Sequence, residues 1–148
     1  QKTFAAFAAL PTAQGLVITS AFYWDQNDET RAFSKRFAAR NGGVPPTYTQ
    51  AGVYGEVAHY LKAIKAVGTD DTDKVNAEMR KIPINDFMTK NGSIRVDGRV
   101  MRDMYLMQVK KPEESKYPFD YFKQLAVIPA AQAYRPLDQG GCPLVKKG

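Results

Sequence analysis

The chain has 148 residues, of which 44% are hydrophobic and 24% are charged. This balance favours one globular domain with its own core over a disordered segment. The net charge is +6, but no run of five or more basic residues occurs, so a nucleic-acid-binding surface is not favoured.

Two further classes of protein are disfavoured by simple counts. No apolar run approaches the ~20 residues that a membrane-spanning helix requires. One cysteine, Cys142, and one histidine, His59, cannot form an internal disulfide or a zinc site. We expect Cys142 to be free or to pair with a cysteine outside this chain.

The N-terminal stretch QKTFAAFAAL is not typical of a signal peptide, because no small-x-small cleavage site follows it. Without an initiator methionine, Gln1 is expected to be a mature N-terminus or an internal cut. Residues 3–9 are typical of the end of a helix, which Pro11 or Gly15 terminates.

The stretch GLVITSAF, residues 15–22, predicts a short buried strand. Its continuous apolar and β-branched run is typical of a parallel sheet covered on both faces. Three aromatic residues, Phe22, Tyr23 and Trp24, then run directly into Asp25, which is unusual both for a core strand and for a surface loop.

Three amphipathic helices are predicted after these rings. The first is capped by Asn27 or Asp28, carries Phe33 and Phe37 on one face, and ends at NGG. The second spans about 50–67, ends at Gly68, and has its apolar face at Val53, Val57, Tyr60, Leu61 and Ile64. The third begins with Asp70 or Thr72 as its cap, carries Val75, Met79 and Ile82 on one face, and stops at Pro83.

The remainder of the chain predicts strands and loops. Residues 92–109 are interpreted as a hairpin with a turn at Asp97-Gly98 and one long second strand. Residues 110–118 are a loop, and residues 119–134 predict a short strand or a helix. One aliphatic strand and one hairpin give little cover for three amphipathic helices, so we expect the chain to be a piece of something larger.

The ordered segments carry a resemblance to a known family. TAQGL, VITSAFYWD, NDETRAFSKRF, GGVPPTYTQAGVYGEVAHYLKAIKAVGTDD and NGSIRVDGRVMRDMYLMQVKKP follow one another along the chain. The series, from about residue 8 to residue 147, resembles the C-terminal part of type I periplasmic solute-binding proteins of ABC importers. The most similar subgroup is that of the branched-chain amino-acid-binding proteins.

The resemblance implies an α/β fold: a partial periplasmic-binding-protein type I fold, with a sheet flanked by helices and pieces of both lobes. A complete chain in that family is more than twice this length, and its two lobes are joined by three crossovers. The implied segments are a second-lobe helix and strand, returning first-lobe helices, a hairpin and strand back in the second lobe, and a C-terminal tail. They span residues 1–26, 27–91, 92–110 and 111–148, respectively.

Two patches are candidate ligand-binding residues. Phe22, Tyr23 and Trp24 follow the carboxyl end of a strand, where rings can wall a cleft and their polar atoms can orient a ligand. The alternative is that they pack against the missing lobe or wedge the hinge. The second patch comprises Tyr48, Thr49, Gln50 and Tyr54, where backbone N–H groups at Gly52 and Val53 could favour an anion. The alternative is an ordinary helix start with Thr49 or Gln50 as a weak cap.

The two patches are expected to lie on opposite jaws of one solute-binding cleft. The resemblance implies a non-enzymatic periplasmic protein that binds a small organic solute by lobe closure and delivers it to an ABC permease. The rings favour a flat or apolar acid. No cofactor, metal or nucleic acid is expected, and no nucleophile elbow or phosphate-binding loop occurs.

The alternatives are a ligand-sensing domain of a receptor or regulator with the same fold, and an enzyme fragment. An enzyme would need a pair of titratable groups in the cleft, and His59, alone on a helix, is interpreted as a surface or half-buried residue. The exposed lobe faces of a partial chain predict that it dimerises or swaps elements between copies.

Overall fold

The structure is a computed structural model that describes residues 10–145 of the chain. It contains five α-helices, five strands and two short 3-10 helices within that range. The helices are α1 (Leu10–Ala13), α2 (Asp28–Ala38), α3 (Tyr48–Val67), α4 (Thr72–Lys81) and α5 (Ala130–Ala133). The strands are β1 (Val17–Ser20), β2 (Ser93–Ile94), β3 (Val100–Met101), β4 (Met104–Val109) and β5 (Phe122–Ile128), and the 3-10 helices are Pro112–Glu114 and Leu137–Gly140.

The chain divides into two compact units. Among the described residues, the first comprises residues 10–51 and 104–128, and the second comprises residues 52–103 and 129–145. Helix α3 begins in the first unit and ends in the second.

A three-stranded sheet forms the centre of the first unit, in the order β1-β4-β5. Both pairs are antiparallel, with Ile18 opposite Met107 and Leu106 opposite Ala126. The prediction of a parallel strand covered on both faces was therefore wrong for this chain. Leu16, Val17 and Ile18 are 42–49% exposed. A continuous apolar run indicates a strand whose side chains need to be buried. It does not determine the direction of the neighbouring strand, or whether the residues that bury it belong to this chain.

The start of the described chain packs on the end of that sheet. Helix α1 runs through Pro11 and ends before Gly15, which has a φ of +82°. The Gly15 amide donates a 3.0 Å hydrogen bond to the carbonyl of Val109, and Ala13 packs with Val109 in a small buried cluster. The helix predicted over residues 3–9 lies outside the described residues.

Helix α2 begins as the sequence predicts. The side chain of Asn27, rather than that of Asp28, accepts a 3.0 Å hydrogen bond from the Thr30 amide, and the Thr30 hydroxyl accepts one of 2.9 Å from the Asn27 amide. This reciprocal pair is a capping box. Phe33 and Phe37 lie together on one face with their ring centroids 6.3 Å apart.

Helix α3 ends where the sequence predicts, but it buries the opposite face. Gly68, with a φ of +70°, follows its last residue. The buried positions are Ala51, His59 and Ala63, whereas four large apolar side chains on the other side are 42–55% exposed: Val53, Val57, Tyr60 and Leu61. We call these four residues the α3 stripe. The apolar face predicted from periodicity is therefore largely exposed in this chain.

Helix α4 is capped by Asp71, whose side chain accepts a 3.0 Å hydrogen bond from the Lys74 amide. The sequence had favoured the neighbouring Asp70 or Thr72. Val75 is the buried residue of this helix, which ends at Lys81 before extended backbone at Ile82.

The predicted hairpin of residues 92–109 is shorter than expected. Strands β2 and β3 pair around Gly98, which has a φ of +82°. The expected long second strand is two strands, because β4 leaves the hairpin and joins the sheet of the first unit. No glycine or proline marks this break. Instead, Asp103 accepts a 2.9 Å hydrogen bond from the Ala130 amide at the start of α5.

Residues 119–134, which were predicted to form a short strand or a helix, contain both β5 and α5. The predicted loop before them includes the 3-10 helix Pro112–Glu114. Among residues 10–145, no helix combines the length and apolar character needed to cross a membrane.

Candidate functional site

The first ring of the aromatic patch is part of the core. Phe22 is 4% exposed and packs edge-to-face on Phe33, with the ring centroids 6.4 Å apart. The capping box at Asn27 sets the start of α2, and Phe33 on that helix contacts Phe22, two residues after the end of β1.

The other two rings are hydrogen-bonded to a distant part of the first unit. The Tyr23 hydroxyl donates to the carbonyl of Phe119 at 3.1 Å and accepts from the Tyr121 amide at 3.1 Å. The Trp24 indole N–H donates to the same Phe119 carbonyl at 3.0 Å. Burial raises the pKa of the Tyr23 hydroxyl well above its usual value, because the phenolate would be poorly solvated.

Asp25 connects the same two segments through a side-chain hydrogen bond. Its carboxylate accepts a hydrogen bond from the Tyr117 hydroxyl and lies 3.1 Å from the guanidinium of Arg31. The hydrogen bond to Asp25 is the main cause that raises the pKa of Tyr117 to about 12. The Tyr117 ring also lies edge-to-face on Trp24, with the centroids 6.3 Å apart. The polar atoms of Tyr23 and Trp24 therefore contact the chain's own backbone.

The second patch lies at the start of α3. The Gln50 side-chain oxygen accepts from the Thr47 amide at 2.8 Å and from its hydroxyl at 3.2 Å. Thr47 thus precedes the helix, and Gln50 supplies the return half of a capping arrangement. Tyr48, which is 63% exposed, and Thr49 face solvent on the first turn.

This helix start corrects the predicted amide site. Because α3 begins at Tyr48 and the Ala51 amide already bonds to the Thr47 carbonyl, the amides of Gly52 and Val53 lie within the hydrogen-bonded helix. The amides not used by the helix belong to its first turn, at Tyr48–Gln50.

Tyr54 belongs to the second unit. Its ring is 52% exposed and lies 5.8 Å from that of Phe87, centroid to centroid. Phe22, Tyr23, Trp24, Tyr48, Thr49 and Gln50 all belong to the first unit. The role of these residues in one shared site stays a prediction.

His59 is a buried structural residue rather than the surface or half-buried one expected. It is 5% exposed, and its Nε2–H donates a 2.9 Å hydrogen bond to the Met79 carbonyl. This bond connects α3 to the end of α4 within the second unit.

A small cleft beside His59 was not predicted from the sequence. Its volume is about 40 Å³, and its lining includes Gly55, Asp86 and Thr89. The Asp86 carboxylate accepts from the amides of Met88 and Thr89 at 2.8 and 2.7 Å. The closest local signal is the presence of two glycines, Gly52 and Gly55, one turn apart on the helix. Within residues 10–145, no group of three or more His, Cys, Asp or Glu side chains could hold a metal ion.

Comparison with known proteins places this architecture in a family. A family model described as periplasmic binding protein matches residues 3–116. The chain belongs to the periplasmic binding protein family. A comparison with curated proteins finds no match.

Two crystal structures of periplasmic binding proteins share more than 40% identity with this chain. A periplasmic binding protein from Burkholderia mallei is 44% identical, with a TM-score of 0.91, and the match covers 96% of this chain and 37% of that one. A branched-chain amino acid ABC transporter periplasmic ligand-binding protein from Burkholderia xenovorans is 42% identical, with a TM-score of 0.90 and coverages of 95% and 37%.

A more distant crystal structure supports the fold alone. The leucine-, isoleucine-, valine-, threonine- and alanine-binding protein from Brucella ovis is 19% identical, with a TM-score of 0.74 and coverages of 93% and 36%. These matches confirm the predicted fold class, a partial type I periplasmic-binding-protein fold. The chain spans 37% of the length of the two more similar relatives.

Proposed function

We propose that this chain is part of the substrate-binding component of an ABC uptake transporter. The observation that carries the proposal is the 42–44% identity over 95–96% of this chain to two periplasmic binding proteins, one of them described as a branched-chain amino acid ABC transporter ligand-binding protein. The whole protein is proposed to work in the periplasm and to deliver its ligand to a membrane permease. Its role is binding rather than catalysis.

The proposed ligand is a small organic solute: a branched-chain or other amino acid, an amide or an aromatic carboxylate. The proposed contacts are Tyr23, Trp24, Tyr48, Thr49, Gln50 and Tyr54. Phe22, the remaining candidate, is 4% exposed and lies in the core. Of the proposed contacts, Tyr48 and Tyr54 are supported by their exposure of 63% and 52%. The hydroxyls of Tyr48 and Thr49 and the free amides of the first turn of α3 offer donors for a carboxylate.

The rings of Tyr23 and Trp24 support the proposal in a different way. Their polar atoms are occupied by Phe119 and Tyr121, so any contact with solute would be made by ring edges or faces. Such rings provide an apolar wall of fixed shape, which suits a flat or apolar part of the solute.

The proposed mechanism is lobe closure. A solute that contacts both lobes stabilises the closed form by the difference between its contacts in the two forms, and the closed form then presents both lobes to the permease. Since relatives are more than twice as long as this chain, most of the cleft would be supplied by residues outside it. We therefore expect the 148-residue chain alone to bind solute weakly or not at all.

The experiment is a thermal-shift screen of the complete parent protein against amino acids, amides and aromatic carboxylates. Ligand that binds only the native form raises the melting temperature, and a concentration of 100 times Kd contributes about 2.7 kcal/mol. Tyr48→Ala and Tyr54→Ala should each reduce the shift, whereas Lys65→Ala, an exposed substitution later on α3, should not. A protein that none of the three compound classes stabilises would contradict the proposal. A shift equal in all three variants would contradict the site but not the function.

A further inference from the structure

The backbone of Phe119 adopts a left-handed conformation with a φ of +68°. Among residues 10–145, only Asn91 and Phe119 have positive φ without being glycine. Asparagine tolerates this region because of its short polar side chain, but for a bulky aromatic residue the conformation is costly. Strained backbone of this kind persists only where the surrounding structure imposes it, and it clusters at functional sites.

In this conformation the Phe119 carbonyl accepts hydrogen bonds from three donors. The Phe119 oxygen accepts from the Tyr23 hydroxyl at 3.1 Å, from the Trp24 indole at 3.0 Å and from the Tyr121 amide at 3.0 Å. The first two donors come from residues that lie 96 and 95 positions away in the sequence. One peptide group therefore holds both polar ring atoms that follow β1.

Two further hydrogen bonds join the same two segments. The Tyr23 hydroxyl accepts from the Tyr121 amide at 3.1 Å, and the Tyr117 hydroxyl donates to the Asp25 carboxylate. Residues 23–25 are thus bound to residues 117–121 at three successive positions, all within the first unit.

We propose that Phe119 is a positioning residue that acts through its backbone rather than its ring. Its left-handed conformation turns the carbonyl toward Tyr23 and Trp24 and fixes the orientation of both rings. These rings belong to the proposed solute wall, so an effect of Phe119 on solute binding rests on the proposed function. The strain of the Phe119 backbone and the position of the Trp24 indole can both be measured without any solute. A negative result there is therefore distinct from failure of the proposed function.

The first test separates backbone strain from loss of the ring. Phe119→Gly and Phe119→Ala both delete the ring, which lies edge-to-face on Tyr121. Only glycine adopts the left-handed region without cost. We expect Phe119→Gly to melt about 3–6 °C above Phe119→Ala, as a strain of this kind predicts for a chain of this size.

The second test measures the position of the indole. Trp24 is the only tryptophan of the 148-residue chain, so in that chain its emission reports this segment alone. Phe119→Pro and Phe119→Val both disfavour positive φ and should turn the carbonyl away. We expect acrylamide quenching of Trp24 to rise at least twofold in these variants and to remain at the wild-type value in Phe119→Gly.

Three results would overturn the proposal. One is Phe119→Ala melting at or above Phe119→Gly. Another is wild-type quenching in whichever of the proline and valine variants folds. The third is increased quenching in Phe119→Gly. If both the proline and valine variants fail to fold, the comparison of glycine with alanine decides.

Discussion

Gly55 lies so close to Asp86 that a methyl group on its Cα would come within 2.9 Å of the Asp86 carboxylate oxygen Oδ2. The other oxygen of that carboxylate accepts two amide hydrogen bonds, from Met88 and Thr89, which hold it in place. On the same helix, a methyl group at Gly52 would meet nothing within 4 Å. The two glycines therefore provide a matched pair in which only the first is required by a close approach.

Gly55→Ala should destabilise the protein, whereas Gly52→Ala should not. Alanine favours a helix over glycine by about 0.5–1 kcal/mol, so Gly52→Ala should stabilise by up to that amount. At position 55 the methyl group must push Oδ2 of Asp86 aside and strain the two amide hydrogen bonds to Oδ1, and we expect this strain to outweigh the gain in helix propensity by about 1 kcal/mol. Urea unfolding followed by circular dichroism measures both variants. Equal stabilisation by both substitutions would contradict the close approach.

Tyr23→Phe should lower the free energy of unfolding by about 1 kcal/mol, because it deletes a half-buried hydroxyl that both donates and accepts a hydrogen bond. The ring contact with Phe122, at 5.7 Å between centroids, is retained. Tyr48→Phe removes the same hydroxyl from a side chain that is 63% exposed and should stay within about 0.5 kcal/mol of wild type. Chemical denaturation distinguishes the two. Identical effects would mean that the Phe119 contact adds no stability.

The contribution of Tyr117 should disappear at alkaline pH. An unfolded tyrosine has a pKa of about 10, and the hydrogen bond to Asp25 raises that of Tyr117 to about 12 in the folded chain. The raised pKa means that the folded state favours the neutral phenol. Its stabilisation is therefore complete below pH ~10 and is lost as the pH rises through the folded pKa.

The measurement compares wild type with Tyr117→Phe across that range. Tyr117 is 47% exposed, so solvent weakens the interaction and the difference should be modest. We expect wild type to be the more stable protein near pH ~8 and the difference to close near pH ~12. Other groups that titrate at high pH affect both proteins alike. If the difference in unfolding free energy between the two proteins is the same at every pH, the pKa of Tyr117 does not change on folding, which would contradict the prediction.

Local features of the fold could be predicted from the sequence because their causes are local. Asn27, Thr30 and Gly68 act within a few residues, through capping side chains and left-handed backbone. The α4 cap was misplaced by one position because Asp70, Asp71 and Thr72 are all capable caps. The break between β3 and β4 depends on which sheet each strand joins, and no residue type encodes that locally.

The candidate site was less predictable for the same reason. The aromatic run at 22–24 is recognisable in the sequence as an unusual feature. Its hydrogen-bond acceptor, the Phe119 carbonyl, lies 96 positions away from Tyr23 and is not. Nothing near Phe119 in the sequence indicates a left-handed backbone. Likewise, periodicity identified the α3 stripe as apolar, but it could not indicate that this chain leaves the stripe exposed.

That exposure leads to a final prediction about association. The α3 stripe places Val53, Val57, Tyr60 and Leu61 in solvent at 42–55% exposure on one side of a helix. Burying such surface contributes about 25 cal/mol per Å², and contiguous exposed apolar patches favour contact between proteins. We expect the isolated 148-residue chain to self-associate through this stripe at concentrations of tens of micromolar, most readily at high salt, because salt screens its net charge of +6.

Analytical ultracentrifugation over a range of concentrations tests this expectation. The double substitution Val57→Ser and Leu61→Ser should weaken association at least tenfold, since it removes two of the four apolar side chains of the stripe. Lys62→Ser, adjacent on the helix but polar, should leave association near the wild-type level. A chain that is monomeric at all concentrations and salt levels would contradict the prediction. Unchanged association of the double variant would place the contact elsewhere, with the exposed residues of β1 and β5 as the next candidates.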